Sequence, residues 1–246
     1  MQPVALLDAA NYDAHRLLTM AGTNWDRPVP QCPDWDAAEL VRHTGSILSW
    51  MSAVVESKQR VSRRSLNPAP GNSLDLAEWY LAALGRTLDV LGSAHPDSET
   101  WTFSSTGDSR VRWWCRRLAV EVAIHRFDIE QAATDEDGPP PTPVDGDVAA
   151  AGIEEFVIEF LPGLLAQDGI GNLSGILHFH ATDASTEWWI DLSRGGIARS
   201  GHAKADTALR GTRSDLLLWL TNRQPSQALK VLGDGAVLDR WGQLQR

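Results

Sequence analysis

Residues Trp113–Asp128 read WWCRRLAVEVAIHRFD, and the distribution of charge in this stretch decides the fold. At 100° per residue, Trp114, Arg117, Glu121, His125 and Asp128 fall within about 40° of one helical face. That face also carries Leu118 and adjoins Val111, Val122 and Ile129. The polar residues therefore interrupt an apolar stripe, where a solvated charged face would oppose it. A buried carboxylate or imidazole without a partner costs several kcal/mol, so the row requires a metal ion or a hydrogen-bond network. Glu121 and His125 stand four apart, with Cβ atoms roughly 5–6 Å from each other, a spacing from which both reach one ion. A metal is the leading reading.

Working outward, the chain on the N-terminal side of this stretch reads as three more amphipathic helices. Pro3 to Met20 forms the first, with Gly22 as its stop. Pro30–Trp35 is a rigid loop, and Asp34 or Asp36 caps a second helix from about Asp36 to Val55. Lys58 to Asn72 is a long surface loop, and a third helix covers Ser73 to Leu91. With the fourth, from about Ser109 to Ala133, these helices make a bundle whose sites form from inward-facing side chains. On the second helix Leu40, Ile47, Trp50 and Val54 lie within about 60° of His43, so His43 points inward and is the best candidate for a third ligand.

The C-terminal side differs. Asp135 to Pro143 is an acidic and then proline-rich loop, and a fifth helix from about Asp147 to Leu161 is stopped by Pro162–Gly163. Strands are expected at Ile176–Thr182, Glu187–Leu192, Gly195–Gly201, Asp206–Gly211 and Leu229–Gly233. Helices are expected at Ser214–Asn222 and from a cap at Asp234 to Gln243. The fold class is α+β in two domains: a metal-binding helical bundle over residues 1–162 and a small α+β domain over residues 163–246.

Composition narrows the partners. The 246 residues are 43% hydrophobic and 22% charged, ordinary for a globular protein. A net charge of -10 argues against a surface that tracks phosphates, so no nucleic acid is expected. No apolar run approaches the roughly 20 residues of a membrane span, and no basic flank precedes an apolar core near the start. Two cysteines, Cys32 and Cys115, make no disulfide framework. A cytoplasmic protein is the expectation. Eleven tryptophans supply large buried areas and leave indoles to line a pocket.

The stretch Val29–Gly45, VPQCPDWDAAELVRHTG, and the stretch Trp114–Asp128, WCRRLAVEVAIHRFD, resemble the two N-terminal signatures of the mycothiol-dependent maleylpyruvate isomerase family. Gly211–Arg223, GTRSDLLLWLTNR, with Val231–Trp241, VLGDGAVLDRW, resembles the family's sterol-carrier-protein-like C-terminal domain. The resemblance implies a DinB-like four-helix bundle holding a divalent metal, usually zinc, through His43, Glu121 and His125. It also implies mycothiol as the thiol cofactor and a small electrophilic substrate. An arginine ending a C-terminal-domain helix reaches the active site in the family, and Arg223 holds the matching position. Where the family usually has glycine in the Cys-Pro-x-Trp loop, this chain has Asp34, read as a surface change.

Within that frame a metal-activated thiolate would add to maleylpyruvate, and Arg223 would stabilise the resulting enolate. Asp128 and Arg117 would orient a ligand, or simply pair within the bundle. The same apparatus serves a thiol S-transferase in detoxification or specialised metabolism. A non-catalytic metal-binding or sensor protein is a third reading, and it expects a closed four-ligand site. Neither cysteine is expected to be the nucleophile: Cys32 lies in the proline-bounded loop, and Cys115 lies about 120° from Glu121 as a small buried hydrophobe. His178 and His180 share one face of a strand; the ordinary reading is surface or pocket residues, and a second metal pair is the minor one.

Overall fold

The computed structural model of the chain describes residues 1–134, 139–166, 174–194, 197–202 and 204–241. It divides into two compact units, Met1–Val144 and Asp145–Arg246.

The first unit is a bundle of four helices, α1 (Pro3–Ala21), α2 (Ala37–Ser57), α3 (Ser73–Ser93) and α4 (Val111–Ala133). Their starts follow from local chemistry. Pro3 opens α1, where its missing N–H costs nothing. The Asp36 carboxylate accepts from the Glu39 N–H at 2.8 Å to cap α2, and the Asn72 side chain accepts from Asp75 N–H at 2.9 Å to cap α3. The apolar residues Leu6, Ala10, Ala14 and Leu17 recur at helical spacing and bury one face of α1. Gly45 of α2 lies directly beneath the Trp79 ring of α3, where a Cβ would collide with the indole, so these two helices approach as closely as they do only with glycine there.

Helix α4 is the centre of this unit. It is buried nearly all round, charged residues included: Glu121, His125, Arg126, Asp128 and Glu130 are all buried. Arg126 donates to Asp13 at 3.1 Å and to Glu130 at 3.0 Å, and it also reaches the carbonyls of Thr142 and Pro143. Arg16 of α1 adds a second guanidinium to Glu130 at 2.5 Å. Burial works against the ionised Glu130 carboxyl, but hydrogen bonds from Arg16 and the Thr142 N–H, with the Arg126 charge, hold it below its usual range. This network ties α1, α4 and the proline-rich segment together.

The second unit begins with α5 (Gly146–Glu155), a single π-turn over Phe156–Phe160 and α6 (Leu161–Leu165). Two expectations change here. The fifth helix belongs to the C-terminal unit, which starts at Asp145 instead of residue 163, because α5 packs on α7 (Arg213–Leu220). Pro162 does not stop the helical path, since it stands in the first turn of α6, where no N–H is missed. A five-stranded sheet follows, from β1 (Ile176–Ala181), β2 (Glu187–Asp191), β3 (Ile197–Ser200), β4 (Thr207–Gly211) and β5 (Lys230–Gly233), in the order β3-β2-β1-β4-β5. Only the β1–β4 pairing is parallel.

Leu177, Phe179, Trp188, Ile190 and Leu209 are buried on one sheet face, where α7 packs and Trp219 lies 6.0 Å from Phe179. Thr212 and Asp215 start α7 with a reciprocal capping box. Asp234 accepts from the Ala236 N–H ahead of α8 (Ala236–Trp241). The expected end of that helix at Gln243, and the acidic residues 135–138, lie outside the described residues. Among the described residues, no helix is long and apolar enough to cross a membrane.

Candidate metal centre

The inward row of α4 meets α2 at His43. His43 Nε2 stands 3.5 Å from Glu121 Oε1, and His125 Nε2 stands 3.4 Å from the same oxygen. The two imidazole rings are 5.1 Å apart at 77°. One donor atom from each of His43, Glu121 and His125 lies within 4.8 Å of the other two. For bonds of about 2.0–2.1 Å, ligand atoms on a tetrahedron are separated by about 3.3–3.4 Å, so the two histidine–glutamate separations match that edge. Two imidazoles and one carboxylate fit a divalent ion and leave coordination positions for other ligands.

The surroundings tune these donors. Asp128, fully buried, stands 3.0 Å from His125 Nδ1, which fixes the ring and leaves Nε2 toward Glu121. Burial, then the charges of His125, Arg63 and Arg117, push the His43 pKa down to about 4. His43 is therefore neutral at physiological pH, the form that ligates metals. Arg117 pairs with Glu121 Oε2, the oxygen turned from the histidines. All five residues read from sequence on these two helices thus come together. Arg223 belongs to the second unit: it follows α7 just past Asn222, whose φ of 60° turns the chain, and its Nη1 donates to the Thr221 carbonyl at 2.7 Å.

Several features around the centre were not legible in the sequence. Cys32 is placed beside the centre, its Sγ within 4.8 Å of donor atoms of His125 and Asp128; the proline-bounded loop that seemed to remove it in fact folds inward. The same loop lays Trp35 against His43, ring centroids 4.7 Å apart. Asp34, at the glycine position, is exposed with φ 71°, a left-handed conformation that aspartate tolerates better than most residues. The loop after α2, read as surface, brings Arg63 over the Trp50 ring at 4.6 Å and near enough to act on His43. Trp50 of α2 and Trp114 of α4 meet Trp101, from the segment before α4, in an aromatic cluster two turns from His43 along α2 and three turns from His125 along α4. A cleft lined by Ser46, Ser49, Arg63, Arg64, Asn67 and Pro68 runs beside it. A local sequence signal existed only for the tryptophans. Cys115 is buried as expected, and burial pushes its thiol up to about 11.

Comparison with known proteins bears on the fold and the family. Residues 6–130 match the mycothiol maleylpyruvate isomerase N-terminal domain, and residues 147–240 match the MDMPI C-terminal domain. No curated protein matches the chain. Among solved structures, the crystal structure of the mycothiol-dependent maleylpyruvate isomerase is similar at 14% identity, with 94% of this chain and 93% of that chain covered and a TM-score of 0.60. A histidine-to-alanine variant of that isomerase matches at 11% identity, with the same shares covered and a TM-score of 0.59. At these identities the structures establish a common fold over both units, while the two domain matches place the chain, over nearly its full length, in the mycothiol maleylpyruvate isomerase family.

Proposed function

We propose that this chain is a metal-dependent enzyme that adds a low-molecular-weight thiol, mycothiol in the first instance, to a small electrophilic substrate of the maleylpyruvate type. The observation that carries the reading is the convergence of His43, Glu121 and His125 within 4.8 Å on two helices of a bundle. A divalent ion held there, zinc by donor type, would lower the pKa of a coordinating thiol so that it reacts as thiolate at neutral pH.

The chain's own residues then divide the work. Asp128 holds the His125 ring by Nδ1. Arg63 and Arg117 set a positive potential beside His43 that favours an anionic substrate and a thiolate. A bound thiolate would supply the nucleophile for addition to one carbon of the cis double bond, with the π electrons passing to the neighbouring carbonyl as negative charge. Arg223, in this reading, stabilises that negative charge. Rotation about the resulting single bond and loss of the same thiolate would leave the trans isomer, with no net consumption of thiol. Arg223→Ala is expected to lower turnover by about 10²-fold with metal content intact, as for loss of an oxyanion donor; unchanged turnover would remove Arg223 from the mechanism.

The test pairs metal analysis with thiol dependence. Purified chain is expected to carry metal that falls by one ion per chain in a His43→Ala, His125→Ala double variant. Maleylpyruvate isomerisation is expected to require added mycothiol and to survive Cys32→Ser with Cys115→Ser. The cysteine arm is the sharper one, now that Cys32 lies beside the centre. Thiol consumed one-for-one into an adduct would assign S-transfer instead, and thiol-independent turnover would defeat both enzymatic readings.

A further inference from the structure

The outer face of the C-terminal sheet carries a second set of converging donors. His178 and His180 alternate along β1 on the face opposite Phe179, and Glu187 stands directly across from His180 on β2. His178 Nε2 is 3.1 Å from Glu187 Oε2, and His180 Nδ1 is 2.7 Å from Oε1. A third imidazole arrives from beyond β3. Gly201 adopts φ 101°, a conformation that L side chains rarely take, and the chain turns there so that His202 Nδ1 comes to 3.0 Å from Glu187 Oε2. The His178 and His202 rings are 5.1 Å apart, edge to face.

Three imidazoles on one two-oxygen carboxylate exceed what a strand glutamate needs for solvation. His178 is 5% exposed, which leaves the pocket and not the surface alternative of the sequence reading. One donor atom from each of His178, His180 and Glu187 lies within 4.8 Å of the other two; their separations from Glu187 are hydrogen-bond lengths, shorter than a tetrahedral edge of about 3.3–3.4 Å, so the donors would part by a few tenths of an ångström to admit an ion. The donors come from two paired strands and a glycine-set turn, so backbone geometry fixes them before any ion arrives.

We propose that His178, His180, Glu187 and His202 form a second divalent-metal site, contained in the C-terminal unit and independent of the bundle centre. Its three nitrogens and one carboxylate select a borderline ion such as Zn²⁺ over Mg²⁺ or Ca²⁺, which prefer all-oxygen shells. Arg210 opposes the ion: its Nη2 stands 3.4 Å from His180 Nε2. When Nδ1 ligates, Nε2 carries the ring proton, and the guanidinium must turn from it. Arg210→Ala is accordingly expected to tighten Zn²⁺ binding.

The experiment uses untagged full-length chain, stripped by a chelator, reloaded with Zn²⁺ and measured by elemental analysis and titration calorimetry. The His43→Ala, His125→Ala chain is expected to keep one Zn²⁺, and adding His178→Ala with His180→Ala is expected to abolish it. In the same background Glu187→Gln, which keeps the side chain's size but replaces one acceptor oxygen by a donor NH₂, is expected to weaken Zn²⁺ by about 100-fold or more, beyond the range for disturbing a group that only supports a ligand. No Zn²⁺ in the His43→Ala, His125→Ala chain, with circular dichroism unchanged, would overturn the site and leave the bundle reading standing. Zn²⁺ binding that ignores both His178/His180 and Glu187 replacement would also overturn it. A wild-type chain with one Zn²⁺ that survives loss of His43 and His125 but not of His178 and His180 would support this site and sink the bundle centre.

Discussion

Helix α4 carries two buried rows of charge that are satisfied in different ways. On one row, Arg126 lies between Asp13 and Glu130, with Arg16 and two loop carbonyls completing the shell, and nearly every contact joins a cation donor to an anionic or carbonyl acceptor. On the other, His125, Glu121 and His43 bring lone pairs toward one point, and the positive partners Arg117 and Arg63 sit to the side. The first pattern closes on itself and holds helices together. The second gathers acceptors and, in the function proposed above, would be completed by a cation from outside. Charge content alone does not separate the rows, since both contain buried carboxylates; the ratio of donors to acceptors at the meeting point does.

The comparison can be broken from either side. The largest effect is expected at Arg126. Arg126→Ala removes the guanidinium between Asp13 and Glu130, and a stability loss of about 3–5 kcal/mol is expected in chemical denaturation. Metal content of the folded fraction should be unchanged. A loss below about 1 kcal/mol, the size of an exposed pair, together with lost metal, would reverse the assignment of the two rows.

A smaller effect is expected two residues along the same helix. Asp128→Asn keeps the shape beside His125 Nδ1 but removes the charge that orients the ring, so metal affinity should fall by about 10–100-fold. Competition with a chromophoric chelator measures it. If Asp128→Asn instead behaves like Arg126→Ala, destabilising the fold with metal affinity intact, then His125–Asp128 is a structural pair and the ligand row is shorter than drawn.

The sheet supplies a third term. Glu187 resembles Glu121 in having imidazoles on its oxygens, yet it sits on a strand pair near the surface, not inside a bundle. Two local architectures, a helix with Glu121 and His125 at i and i+4 and a strand with His178 and His180 at i and i+2, thus present potential ligands on one face.

What the sequence determined on its own is what helix and strand periods determine. The side chains of Glu121, His125 and Asp128 share a face because 3.6 residues make a turn, and no tertiary contact is needed to place them. The same holds for His43 among Leu40, Ile47 and Trp50, and for His178 and His180 on a strand. The order of elements was legible for the same reason, since apolar spacing and caps are local. Tertiary structure alone decided the meetings. That α5 belongs with α7 depends on which apolar faces fit, and Pro162 was misread because it stands in the first turn of α6, where no N–H is missed. Cys32, Trp35 and Arg63 reach the centre through loops, whose paths no periodicity encodes. His202 reaches Glu187 only because Gly201 turns the chain back. Within an element, each dihedral repeats its neighbour's, so position follows from spacing; in a loop every residue chooses separately, and only packing selects the outcome.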